Sequence, residues 1–98
     1  MFIQVIEFKS SKLDELRTLV EGYREAAGGK STAKRGILAK SRDDDNSYVN
    51  VVFFDSYEEA MKNSELPETS AFAEKMMAIC DGPPTFHNLD VVIDDDMS

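Results

Sequence analysis

The spacing of apolar residues changes period along this chain, and the changes mark its elements. Residues 2–8 (FIQVIEF) are few and rich in aromatic and β-branched side chains, the composition of a strand. From Leu13 the period becomes helical: Leu13, Leu16, Leu19, Val20 and Tyr23 fall on one stripe. Ser11 is placed to cap that helix, with Asp14 and Glu15 in a first turn where the macrodipole favours acid. Gly28-Gly29 is expected to close it in the left-handed conformation. Residues 33–41 (AKRGILAKS) predict a weaker strand whose Lys and Arg suit a sheet edge, and residues 43–46 (DDDN) a turn. Residues 47–54 (SYVNVVFF) form the strongest strand pattern in the chain. Ser56 and Glu59 fit a capping box opening a short helix to about residue 63. Pro67 suits the first turn of another helix, in which Phe72, Ala73, Met76, Met77 and Cys80 share a face. Asp81-Gly82-Pro83-Pro84 ends that helix, and residues 86–93 (FHNLDVVI) predict a last strand. One domain over 1–93 and a frayed acidic tail over 94–98 follow.

The predicted order is β-α-β-β-α-β with a short extra helix after the third strand. Two right-handed crossovers around a hairpin give an α+β, ferredoxin-like antiparallel sheet with helices on one face. A sheet covered on one side should alternate strictly between apolar and polar residues. This one does not. Phe2, Ile6 and Phe8 point one way while Ile3 and Val5 point the other, and Tyr48, Val52 and Phe54 oppose Val49, Val51 and Phe53. A wet face carrying Ile3, Val5, Val49, Val51 and Phe53 would be a larger apolar patch than a monomer normally tolerates. A second copy related by a twofold axis covers it most simply, so the sequence predicts a homodimer with its two four-stranded sheets face to face.

Charge narrows the partners. Nineteen acidic residues against 11 basic give a net charge of −8, which argues against nucleic acid because phosphate tracking needs clustered Lys and Arg. No apolar run approaches the roughly 20 residues that span a bilayer, and the N-terminus does not read as a signal peptide, so no membrane partner and a cytoplasmic location are expected. Cys80 is the only cysteine, which excludes an internal disulfide and a cysteine-based zinc site. With one His, and with Asp43–Asp45 and Asp94–Asp96 lacking the alternation of a calcium loop, no metal site is expected.

Gln4 and Asn50 interrupt otherwise apolar strands and share a face by parity. They could orient a ligand carbonyl or phenol under the helices, or bond each other as buried amides. Tyr48 and Met76 could line the same pocket or fill the core. Tyr23 and Tyr57 are open to the same two readings. His87 is the one side chain whose ordinary titration lies near neutrality, which makes it the candidate general base; as a strand residue it equally suits a dimer seam.

The segments FIQVIEF, YVNVVFFDSYEEAMKNSELPETSAFAEKM and PPTFHNLDVV cover nearly the whole chain, and together they resemble the dimeric α/β-barrel superfamily. Within it the chain is similar to the antibiotic-biosynthesis-monooxygenase-like domains. The resemblance implies a fold that hosts cofactor-free oxygenases, haem-degrading enzymes, lactone isomerases and mutarotases, so it leaves the activity open. Haem-degrading members place an Asn, a Trp and a His at positions near Gln4, Asn63 and Met76; this chain has no Trp, and no predicted helix carries a His. The sequence therefore reads as a cofactor-free homodimer binding a small apolar or aromatic metabolite between sheet and helices through Gln4, Asn50, Tyr48, His87 and Met76. A cofactor-independent monooxygenase or isomerase using His87 with Gln4 or Asn50, and a structural dimer with a filled core, are the alternatives.

Overall fold

Alternation and helical period become four strands and three helices in a computed structural model that describes residues 1–97. The elements are β1 (Phe2–Lys9), α1 (Leu13–Ala27), β2 (Arg35–Lys40), β3 (Ser47–Phe54), α2 (Tyr57–Ser64), α3 (Pro67–Ile79) and β4 (Thr85–Asp90). The sheet runs β2-β3-β1-β4, and every neighbouring pair is antiparallel, the ferredoxin-like order.

The register fixes which side chains share a face. Phe2, Gln4, Ile6 and Phe8 stand beside Phe54, Val52, Asn50 and Tyr48, and this side meets the helices. Phe8 stacks on Tyr48 at 5.6 Å and packs with Leu16 of α1 and Met76 of α3. Phe2 and Phe54 form a second cluster with Ala60 of α2. Burying side chains of this size stabilises the fold by roughly 1.5–3 kcal/mol each.

Several local expectations are corrected. The N-cap of α1 is Lys12, with no side-chain cap. The role expected of Ser11 is left unfilled; the neighbouring Ser10 is fully buried instead, and its hydroxyl accepts from the Lys12 amide and donates to the Ile79 carbonyl, joining the start of α1 to the end of α3. Gly28 is right-handed, not left-handed, and the amides of Lys30 and Ser31 close the helix on the Ala27 carbonyl. The Ser56 hydroxyl accepts from the Glu59 amide as expected, but the Glu59 carboxylate turns to Lys62, so half of the capping box forms. Met77 is 63% exposed and Ala73 also faces out, because the inward stripe of α3 runs through Phe72, Met76 and Ile79.

β2 is shorter than the pattern suggests, and β4 ends at Asp90 rather than residue 93. Beyond it Val92 is 91% and Ile93 77% exposed. All six residues of β4 are exposed: no helix covers the strand, and the sheet's other side is open. Of the tail expected at 94–98, residues 94–97 have no regular structure and Ser98 lies outside the described residues.

Candidate functional site

The two long helices do not close against each other along their outer edges. Positions a turn apart on α1 (Glu15, Leu19, Gly22, Ala26) and on α3 (Glu68, Phe72, Lys75, Ile79) border a groove of about 740 Å³. That size is within the range of small-molecule sites. Gly22 widens it, since a Cβ there would meet nothing within 4 Å. A mid-helix glycine costs about 1 kcal/mol relative to alanine, and no crowding in the fold requires this one.

Inside the groove Tyr23 lies with its ring 4.8 Å from that of Phe72. Its hydroxyl is 2.9 Å from the Thr69 hydroxyl and accepts from the Asn63 amide nitrogen at 3.2 Å. Asn63 is buried at the end of α2, and its carbonyl oxygen accepts from the Ser31 hydroxyl at 2.8 Å and the Thr32 amide at 3.3 Å. The network joins α1, α2, α3 and the strand-entry loop, and holds Tyr23 in place. Glu68, in the first turn of α3, takes the Lys30 ammonium at 2.8 Å. That hydrogen bond, with one from its own backbone amide, lowers the carboxyl below its ordinary range. The groove is thus an apolar floor with an aromatic pair and an acidic rim.

Of the residues singled out from sequence, Tyr23 borders the groove; Gln4, Asn50, Tyr48, His87 and Met76 lie elsewhere, in three places. Tyr48 and Met76 are buried in the core beneath the helices. Tyr48 also borders a smaller hollow of about 460 Å³ at the far end of the sheet, walled by charged as well as apolar side chains. Gln4 and Asn50 share the helix side, but they do not bond each other: the Gln4 amide donates to Asn88 of β4 at 3.3 Å. His87 is on the opposite side of the sheet, level with Val5, and its Nε2 is 2.9 Å from a Glu7 carboxylate oxygen. The sheet separates it from Gln4 and Asn50, so the combination considered for a catalytic base does not assemble within a protomer. The five residues expected on the helix-free face (Ile3, Val5, Val49, Val51, Phe53) do lie together there.

Sequence reasoning missed the groove because its shape depends on how far apart α1 and α3 sit, which periodicity does not encode. Two signals point to it afterwards, an unforced glycine on a helix and a polar Asn at a helix end. Burial raises the Cys80 thiol above its ordinary range, with Asp81 adding to the shift, so at neutral pH it is a protonated, poorly nucleophilic group. Among the described residues no group of His, Cys, Asp and Glu is placed to hold a metal ion, and no helix is long and apolar enough to cross a membrane.

No protein-family model matches the chain, and no curated protein matches it. Solved structures do. A candidate antibiotic biosynthesis monooxygenase from Caulobacter crescentus superposes with a TM-score of 0.81 at 16% identity, over 94% of this chain and 90% of that one. One from Deinococcus radiodurans gives 0.80 at 10% identity, over 100% and 99%. SnoaB, a cofactor-independent oxygenase from Streptomyces nogalater, gives 0.79 at 16% identity, over 92% and 91%. At these identities the likeness is one of architecture, and the architecture is complete: this chain has the ferredoxin-like α+β fold of the antibiotic biosynthesis monooxygenase domains.

Proposed function

We propose that the chain is a cytoplasmic homodimer that binds a small, flat, apolar or aromatic metabolite in the groove between α1 and α3. The observation that carries the reading is the groove itself: an apolar cleft of small-molecule size, holding an aromatic pair that a planar ligand can stack against. On this reading the ligand lies between the helices, above the core, rather than against Gln4 and Asn50. The rim favours a neutral or cationic molecule, since Asp14, Glu15 and Glu68 outnumber Lys75 around it. The homodimer reading rests on the apolar helix-free face and on β4, which has no cover of its own.

Calorimetric titration with naphthol, a neutral planar probe, tests the site. Gly22→Leu places a side chain in the open groove and is expected to weaken binding at least about tenfold, or about 1.4 kcal/mol. The fold should persist, because a Cβ at Gly22 meets nothing. Binding unchanged by Gly22→Leu contradicts the assignment.

A second reading, a cofactor-independent oxygenase, draws support from the structural likeness to SnoaB. Its version built on His87 is disfavoured, because the groove and His87 lie on opposite sides of the sheet. Oxygen uptake with electron-rich phenols, measured in wild type and His87→Asn, separates the readings. A binder consumes no oxygen, whereas an enzyme with His87 as base loses roughly 10²–10⁴-fold in rate.

A further inference from the structure

The groove between α1 and α3 has a polar atom in its wall that the fold leaves unsatisfied. Glu68 borders the groove and gives its Oε1 to the Lys30 ammonium at 2.8 Å. Its other oxygen, Oε2, is shut away from solvent and receives no hydrogen bond of adequate geometry from any described residue. No other buried side-chain oxygen or nitrogen among the described residues is left in that state. The Lys30 hydrogen bond, then the Glu68 backbone amide, hold the carboxyl below its ordinary range, so it is ionised at neutral pH. An ionised carboxylate offers about four acceptor sites over two oxygens. Burying one oxygen without a donor costs free energy that an arriving donor would return.

Helix geometry decides what lies beside that oxygen. Glu68 is four residues before Phe72 on α3, and such residues have Cβ atoms only about 5–6 Å apart. Phe72 and Tyr23 are the aromatic pair of the groove, 4.8 Å between rings. Glu68 therefore stands a short reach from the pair. The two helices run antiparallel, since Lys30 beyond the end of α1 meets Glu68 at the start of α3, and Ser10 joins the start of α1 to Ile79. Asp14, Glu15 and Lys75 thus belong to the opposite end of the groove, and all three are exposed. Solvent screens them more than it screens Glu68, whose side chain is 18% exposed. The Lys30 side chain does not border the groove and is 62% exposed, so its repulsion of a second cation on Glu68 is weak. The last torsion of a Glu side chain is soft, and a small turn offers Oε2 to a donor in the groove.

We propose that the ligand of this groove is an arylalkyl amine bound as its cation, its ring stacked on Tyr23 and Phe72 and its ammonium donating to Glu68 Oε2 across a short carbon linker. The assignment rests on the groove reading of the function and adds to it the charge of the ligand and the residue that anchors it. A hydrogen bond between two charged groups is roughly twice as strong as a neutral one, so an amine gains more here than an alcohol of the same shape. A carboxylate ligand meets acid at both ends of the groove and is disfavoured.

Three probes on one ring system test it: naphthylmethylamine, naphthylmethanol and naphthylacetate, a cation, a neutral molecule and an anion, titrated calorimetrically at neutral pH and low salt. On wild type the amine is expected to bind at least about tenfold tighter than the alcohol, and the acetate most weakly. Glu68→Gln keeps the size of the side chain but removes its charge, and is expected to close most of the gap between amine and alcohol. Glu15→Gln, at the other end of the groove, is expected to keep that gap. Circular dichroism checks that both variants fold, and the wild-type comparison needs neither. An amine no tighter than the alcohol on wild type overturns the proposal. So does a gap that shrinks as far in Glu15→Gln as in Glu68→Gln, because the preference then comes from the general acidity of the rim. In either case alcohol binding that Gly22→Leu weakens leaves the groove reading standing. If none of the three probes binds, and naphthol does not, the groove reading fails and this inference with it.

Discussion

Asn63 shows how much one polar side chain can organise. Its amide reaches Tyr23, Ser31 and Thr32, so α1, α2 and the loop into β2 are tied at one buried point. Asn63→Ala leaves the Tyr23 hydroxyl, the Ser31 hydroxyl and the Thr32 amide short of a partner. The expected loss is about 1–3 kcal/mol. In a domain of this size each kcal/mol corresponds to a fall of about 4–8 °C in melting temperature, readable by calorimetry. A melting temperature unchanged by the substitution would show that water replaces the amide and that Tyr23 is not held by it. Gly22 makes the opposite point. Gly22→Ala should raise stability by about 0.5–1 kcal/mol, because the helix gains and nothing clashes, and it should weaken naphthol binding less than Gly22→Leu does.

Elements were legible in the sequence where one interaction decides them. The first and third strands follow from their β-branched and aromatic runs, the stripe from Leu13 to Tyr23 is the buried side of α1, and Ser56 caps α2 as its spacing implies. Legibility failed where a distant group competes. Ser11 does not cap α1, and it is Ser10 that is buried, where its hydroxyl reaches the Ile79 carbonyl, a contact 69 residues away in sequence. Val92 and Ile93 look like strand and are not, since β1 has no residue left to pair beyond Phe2 except Met1, whose carbonyl the Val91 amide takes. The groove was illegible for the same reason: it is a gap between elements.

Between those elements the Lys30–Glu68 pair links the loop after α1 to the first turn of α3. Because the folded-state carboxyl is held below its ordinary range, the contribution is present above the unfolded value of about 4.5 and is lost as pH falls through the lower folded value. Glu68→Gln should flatten that acid limb by removing the contribution where it exists: the variant is slightly less stable than wild type near pH 7 and matches it at the acid end, the loss being small because the Lys30 ammonium is solvent-screened. Denaturant melts across the acid range check this; an acid limb identical in the variant would contradict it.

At the scale of the molecule, the unbalanced feature is a sheet apolar on both sides with helices on one. Tyr48 and Phe54 meet helices, but Val49, Val51 and Phe53 meet none, and β4 is uncovered altogether. Val51→Lys sets a charge at the centre of the proposed seam. It should give monomer or aggregate by light scattering while wild type is dimeric at micromolar concentration, because a buried unpaired ammonium is prohibitive. A dimer untouched by Val51→Lys would move the interface elsewhere.

Both halves of the account meet in native mass spectrometry of freshly purified protein. The expected species is a dimer of the 11.0 kDa chain carrying a small molecule on its protomers, released by Gly22→Leu without loss of the dimer. A bare dimer that also ignores naphthol would contradict the binding site and leave a structural dimer, and a bare monomer would contradict the account as a whole.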